Sequence, residues 1–407
     1  MREELFLKKA FKAYYAGNAM ELDASIARRE FGVGSFGSKI DKRHLSFESN
    51  SELNAYLANV APLYISWSVA QYEFPSRMPM ESKKLLGADL VYEFDADDFK
   101  LPCRQRHDSW NCSKCGAHGL GAVEACSSCG APPLVDEWVC EECLNETRNH
   151  TQSLARILLE DFGFNEKDLH FNFSGSKGFH VHVRSPSVFE WSRAARMEAL
   201  DYLTLHELSL EGLGFLEVDG VWRCPLWSLA GGIARRILQG LSHFFETIPE
   251  DRLAVIGSLS QREAKNFLTN RNGIVNGIQR GVLLPLSNKK KNELFWGNVL
   301  SHVVERQRLR VDRQTSADIH KIVRVPNTLH GGTGLLAKSM TLQGLSTFRP
   351  LQDSVVLKGE RATVFVSRAP RFCLGGEWFD SMNGFEGPLP FHVAAYLVAK
   401  GVAEVRG

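Results

Sequence analysis

Residues 170–183 read HFNFSGSKGFHVHV, two runs of alternating apolar and polar residues on either side of a Ser-Gly-Ser-Lys-Gly turn. Alternation with a period of two marks a strand, so this stretch predicts two strands joined by a glycine-bearing turn. Upstream, from Thr151 to Phe162, the pattern around SLARILLEDF reads as an amphipathic helix. Helix, strand, turn and strand in that order predict an α/β fold.

The turn has chemistry of its own. Gly175 and Gly178 let the backbone approach a ligand closely, while the Ser174 and Ser176 hydroxyls, the Lys177 ammonium and the His180 imidazole suit phosphate oxygens. A plain hairpin turn with solvated polar residues is the competing reading. His180 and His182 share one side of the strand, and beside such a turn His180 is the better phosphate contact.

Residues 91–98, VYEFDADD, form a second strand-like run that ends in Asp95 and Asp97. Side chains at i and i+2 of a strand point to one face, and two carboxylates so close repel unless water solvates them or a divalent cation neutralises them. Asp98 falls on the opposite face. A third segment, residues 308–335, reads RLRVDRQTSADIHKIVRVPNTLHGGTGL. Here Asp312 ends an apolar, strand-like run and could complete a three-carboxylate site. Asp318 sits where a short helix would begin, which suits an N-cap. Arg324 and His330 bracket the Pro-Asn-Thr turn and bring positive charge towards the acidic residues.

Seven of the nine cysteines lie between Cys103 and Cys143. Clustering of this kind reads as metal binding rather than a disulfide framework. Cys112, Cys115, Cys126 and Cys129 form two C-x2-C pairs, each closed by a glycine, and such pairs make a tetrahedral zinc-thiolate site. Cys103, His107, Cys140 and Cys143 then form a second zinc site around this ribbon, with His118 as an alternative ligand. Four protein ligands leave no open position, so both zinc ions are expected to be structural.

At 407 residues, with 48 basic and 47 acidic side chains, the chain can bury a sizeable core and shows no chain-wide basic surface. Its opening stretch, MREELFLKKAFKAYYAG, is charged and amphipathic, and no apolar run reaches membrane-spanning length. A soluble, cytoplasmic protein with no membrane association is expected. Residues 1–26 have helical periodicity, residues 32–37 read as a glycine-rich turn, and WSVAQYEFP, residues 67–75, as a strand. The texture between 191 and 305 is mainly helical. Strand-like runs return at KIVRV and ATVFVS before a final helix at FHVAAYLVAKGVAEV.

FDAD, then SGSKGFHVHV, then VDRQTSADIHKIVRVPNTLHGGTG, in this order, resemble the catalytic small subunit of the archaeal and eukaryotic type of DNA primase, as do REFG at 29–32, RHLSF at 43–47 and a cysteine-bearing site after the first acidic motif. The resemblance spans residues 1 to about 345. It implies an α/β primase catalytic core, a mixed sheet with flanking helices, in three parts: 1–102, 144–190 and 306–407. A zinc-binding module at 103–143 and a mainly helical insertion at 191–305 interrupt it. It implies that Asp95, Asp97 and Asp312 hold two Mg2+ or Mn2+ ions, and that Ser174, Gly175, Ser176, Lys177, His180, Arg324 and His330, with Arg43 and Glu30, bind the nucleoside triphosphate. It further implies template-dependent primer synthesis on single-stranded DNA, near the nucleoid, in a heterodimer with a large subunit that carries an iron-sulfur cluster. The four-cysteine ribbon departs from the simpler family pattern, and Ser176 stands where relatives can carry a basic residue. A repair-type polymerase of the same superfamily and a non-catalytic zinc-ribbon protein that binds nucleic acid are the two other readings.

Overall fold

The computed structural model describes residues 2–23 and 25–406. The chain forms two compact units, one of Met1–Ala155, Phe164–Arg196 and Val311–Gly407, the other of Arg156–Gly163 and Met197–Arg310. It is an α/β protein whose strands divide among several small sheets, antiparallel in each pairing described here.

Two four-stranded sheets organise the first unit. In one, the strands Ser339–Met340, Leu169–Phe173, Gly178–Val183 and Leu90–Asp95 lie side by side in that order. The hairpin around the Ser-Gly-Ser-Lys-Gly turn pairs Asn172 with His180 and Phe173 with Phe179, and the next ladder pairs His180 with Glu93 and Gly178 with Asp95. Because side chains alternate, Asp95, Glu93, His180 and Asn172 share one face, while Phe94, Phe179, Val181 and Phe171 share the other. The second set is buried to 1% exposure or less and forms core. A polar face backed by an apolar one is what period-two patterning produces.

The second sheet runs Ile322–Arg324, Tyr64–Ser68, Phe31–Ser35 and Ser38–Leu45. Phe31–Ser35 is strand, so the expected glycine-rich turn at 32–37 shrinks to Phe36 and Gly37. Gly34 cannot carry a side chain, because a Cβ there would lie 2.3 Å from the Ser38 carbonyl oxygen. WSVAQYEFP is divided between two strands, Tyr64–Ser68 and Ala70–Tyr72.

Between these strands the chain builds a cysteine-rich segment with a three-stranded sheet, Ser109–Asn111 flanked by His118–Leu120 and Leu134–Asp136. The helix that follows runs Glu141–Glu160, starting at Glu141 rather than Thr151 and carrying Cys143 in its first turn. A three-stranded sheet of Met382–Leu389, Ala362–Ala369 and Ala403–Val405 closes the unit with the apolar helix Phe391–Ala399.

The second unit is mostly helical, with one hairpin, Leu216–Val218 with Val221–Arg223. The helices Gly232–Thr247 and Lys289–Gln307 bury Ile237, Leu241, Phe245, Phe295 and Trp296 in one apolar cluster. Trp296 packs 5.5 Å from Phe245 and donates its indole N–H to the Leu284 carbonyl at 3.1 Å, which satisfies its polar atom. Burial of each such side chain stabilises the fold by about 2–3 kcal/mol.

Candidate active site

A cavity of about 540 Å³ opens in the first unit, lined by Glu93, Asp95, Asp97, Ser174, Ser176, Lys177, His180, Arg324 and His330 among others. One end is acidic. The strand Leu90–Asp95 stops at Asp95, and Ala96–Asp98 forms a 3-10 turn. Asp97 is therefore placed by the turn and not by strand alternation, and the residue that shares Asp95's strand face is Glu93. Asp98 is not turned away as strand geometry implied: its carboxylate accepts the Asp95 backbone N–H at 3.4 Å.

Burial and the neighbouring carboxylates Glu93, Asp97 and Asp98 push the Asp95 carboxyl up to about 6. Burial, with Asp312 and Glu93 nearby, raises Asp98 as well. Asp312 thus belongs to the acidic neighbourhood, although it is exposed and does not line the cavity. It follows an irregular segment rather than a strand, and its side chain accepts the Thr315 N–H at 3.1 Å ahead of the short helix Arg313–Ala317. The N-cap position expected of Asp318 is thus held by Asp312, while Asp318 accepts the His320 N–H at 2.9 Å in the turn beyond. No three carboxylates among the described residues converge tightly enough to form a preformed metal cage. Lys177 instead ion-pairs with both Asp97 and Glu137. A close set of mutually repelling acids, with Lys177 on Asp97 and Lys321 on Glu93 as counter-charges, fits a divalent cation electrostatically.

The other end is basic. Ser174 Oγ accepts three backbone N–H groups, from Ser176, Lys177 and Gly178, at 3.1–3.2 Å, so its hydroxyl organises the turn. Gly175 has φ +80° and sits against the His330 loop, where a Cβ would come 2.7 Å from His330 Cβ. Thr333 ties the two segments by donating its hydroxyl to the Gly175 carbonyl at 2.5 Å. The Gly332 N–H donates to His330 Nδ1 at 3.2 Å, which leaves the ring proton on Nε2, and burial beside Arg324 keeps this imidazole neutral. His180 is also held neutral by burial, its Nε2 3.6 Å from Glu93 and its buried Nδ1 without a hydrogen-bond partner among the described residues.

Arg324 lies over the Tyr64 ring at 5.1 Å, and its buried Nε has no hydrogen-bond partner among the described residues. Burial lowers its pKa to about 10, so it stays charged at neutral pH, and no carboxylate pairs with it among the described residues. A buried guanidinium without an anion is costly unless a ligand supplies one. Glu30 and Arg43 lie outside the cavity lining. Glu30 is fully buried and receives Arg43 Nε and Lys83 Nζ, each at 2.9 Å, so its carboxylate orients these two cations.

Sequence reasoning passed over Glu93, Lys321, which ion-pairs with it, and Lys400. Glu93 was detectable two residues before Asp95. Lys400 lines the cavity from the end of the last helix, with its pKa lowered to about 8 mainly by burial, and nothing local in the sequence marks it.

Seven of the nine cysteines, with His107, fall into two groups, Cys112, Cys115, Cys126 and Cys129, and Cys103, His107, Cys140 and Cys143, with ligand atoms within 4.8 Å of one another in each. His118 joins neither group. A tetrahedral zinc ion with metal–sulfur bonds of about 2.3 Å spaces its sulfurs about 3.8 Å apart. The sulfur separations Cys112–Cys129 at 3.5 Å, Cys115–Cys126 at 3.6 Å and Cys140–Cys143 at 3.7 Å fit that spacing. His107 faces Cys143 through Nε2 at 3.2 Å, while its Nδ1 meets the buried Asp108 carboxylate at 2.8 Å, a partner that fixes a ligand's tautomer.

Residues 135–342, about half of the chain, match the model of a family described as DNA primase small subunit. The chain belongs to this family. The DNA primase small subunit PriS of Methanothrix thermoacetophila is 28% identical over 424 residues, covering 98% of each chain. That of Methanosarcina barkeri is 29% identical over 435 residues, 99% of this chain and 97% of the relative, and that of Cenarchaeum symbiosum 27% over 406 residues. The family match contains the Ser174 turn, Asp312, Arg324 and His330, and the likeness to the relatives runs over nearly the whole chain.

Proposed function

We propose that this chain is the catalytic subunit of a DNA primase, a nucleotidyltransferase that joins nucleoside triphosphates into short primers on single-stranded DNA. The observation that carries the reading is the cavity itself: a partly exposed acidic cluster around the half-buried Asp95 adjoins the buried Arg324, which no carboxylate pairs with among the described residues. Nucleotidyl transfer needs both ends, one to hold cations and one to receive a polyphosphate. Asp95, Asp97 and Asp312 would hold Mg2+ or Mn2+, which when bound lowers the pKa of the attacking 3'-hydroxyl and offsets charge in the in-line transition state.

The protein's own groups do the rest. Arg324 offers a fixed, charged fork to the triphosphate, and neutral His330 offers its Nε2–H. Lys177, which lines the cavity and ion-pairs with Asp97 and Glu137, carries a positive charge that would attract a phosphate oxygen. His180, whose Nε2 lies 3.6 Å from Glu93, stands where the acidic and basic ends meet. The Ser174 hydroxyl keeps the turn's backbone in place. Both cysteine groups would hold structural Zn2+, and a large subunit bearing an iron-sulfur cluster is the partner that the small-subunit family implies.

Asp95→Ala and Asp97→Ala chains should each lose at least about a hundredfold of primer-extension rate on a primed template, with folding checked by circular dichroism. Incorporation at the parent rate by either variant would sink the metal-site reading.

A further inference from the structure

The helical unit contains a second cavity, of about 660 Å³, that plays no part in the site above. Three helices and one helix end line it, and they bring Arg156, His243, Arg252, His302 and Arg306 to its wall with no carboxylate among the lining residues. His302 and Arg306 are one helical turn apart on Lys289–Gln307, so they project from one face. Arg156, Arg252 and Arg306 have no ion pair among the described residues, and Glu305, adjacent to Arg306, is engaged by Arg308 at 3.2 Å and Arg310 at 3.6 Å. His302 stacks at a tilt 5.5 Å from Phe244.

Surface arginines usually stand apart or beside an acid. Here they converge on a concavity, and the repulsion is visible at His302, whose pKa is lowered by burial and then by Arg306 and Arg252. Such an arrangement favours a multiply charged anion. The lining supplies guanidinium forks, imidazoles and the amides of Gln239 and Gln307, but no exposed aromatic platform on which a base could stack. We propose that this cavity is a phosphate-binding site of the helical unit, formed by Arg156, Arg252, Arg306 and His302 and addressed by the backbone of a nucleic-acid strand or by a free polyphosphate. It does not rest on the assignment of the active site.

Hydrogen–deuterium exchange of the full chain with inorganic tripolyphosphate, and separately with a single-stranded oligothymidylate, tests it. Slower exchange in residues 239–252 and 299–307 is expected, and its loss in both Arg252→Glu/Arg306→Glu and the milder Arg252→Gln/Arg306→Gln. Oligothymidylate affinity should fall about tenfold or more in the charge-reversed chain. Protection by the oligonucleotide alone identifies a strand backbone as the ligand, and protection by tripolyphosphate as well identifies a free polyphosphate site. Unchanged exchange in both segments with both probes, or equal protection in the glutamine variant and the parent, would overturn the proposal.

Discussion

Asp95 stands at the end of a strand with burial and three carboxylates set against its charge, and its carboxyl is pushed from 3.8 up to about 6. A carboxyl whose folded pKa is raised favours the fold while protonated, and that contribution is lost as pH rises from 3.8 through about 6. At neutral pH without metal, the shift corresponds to a penalty on the order of 3 kcal/mol. Asp95→Asn should therefore raise the melting temperature of metal-free protein at pH 7 by several degrees. Mg2+ or Mn2+ should raise that of the parent chain and leave the variant nearly unmoved, and the metal effect on the parent should fade below pH 6. Scanning calorimetry at two pH values, with and without cation, decides the matter; a less stable Asn variant would contradict the cause assigned to the shift. At this scale the sequence was only partly legible. Asp95 was readable because a strand's alternation is local, whereas Asp97 is placed by a 3-10 turn that a period-two pattern does not reveal. Asp312, and not Asp318, caps the short helix, because the chain ahead of Asp312 is irregular where its apolar run predicts a strand.

Among elements, the two cysteine groups differ in what they touch. Cys103 and Cys143 pack with Ala96, the residue between Asp95 and Asp97, so the second group braces the acidic turn from behind. The ribbon of Cys112, Cys115, Cys126 and Cys129 packs on Trp110 and its own small cluster instead. Cys140→Ser/Cys143→Ser should reduce bound zinc from two ions to one, lower thermal stability and cut primer extension strongly. Cys112→Ser/Cys115→Ser should remove one zinc ion with a much smaller loss of extension. Zinc content by atomic absorption beside a primer-extension assay separates the two, and the reverse ranking of activities would contradict the bracing role. The C-x2-C pairs announced this module because ligand spacing is itself local. Its contact with Ala96 was invisible, since tertiary packing leaves no periodic signal.

On the scale of the whole molecule, the α/β unit and the mostly helical unit were legible from runs of period two and period 3.6. The cavity was not, because its walls come from segments as far apart as Lys39, Asp95, Lys177, Arg324 and Lys400. Charge gave little help, as 48 basic residues balance 47 acidic ones and the total conceals the local charge that lines the two cavities. A chain that only extends strands needs a primer terminus, whereas a primase begins from two nucleotides. The most direct measurement is synthesis on an unprimed single-stranded DNA template from labelled nucleoside triphosphates with Mg2+ or Mn2+, with the large subunit present. Short, template-dependent products that vanish in Asp95→Ala/Asp97→Ala are the predicted result. Products only when a primer is supplied, or products that persist in the double variant, would contradict the account.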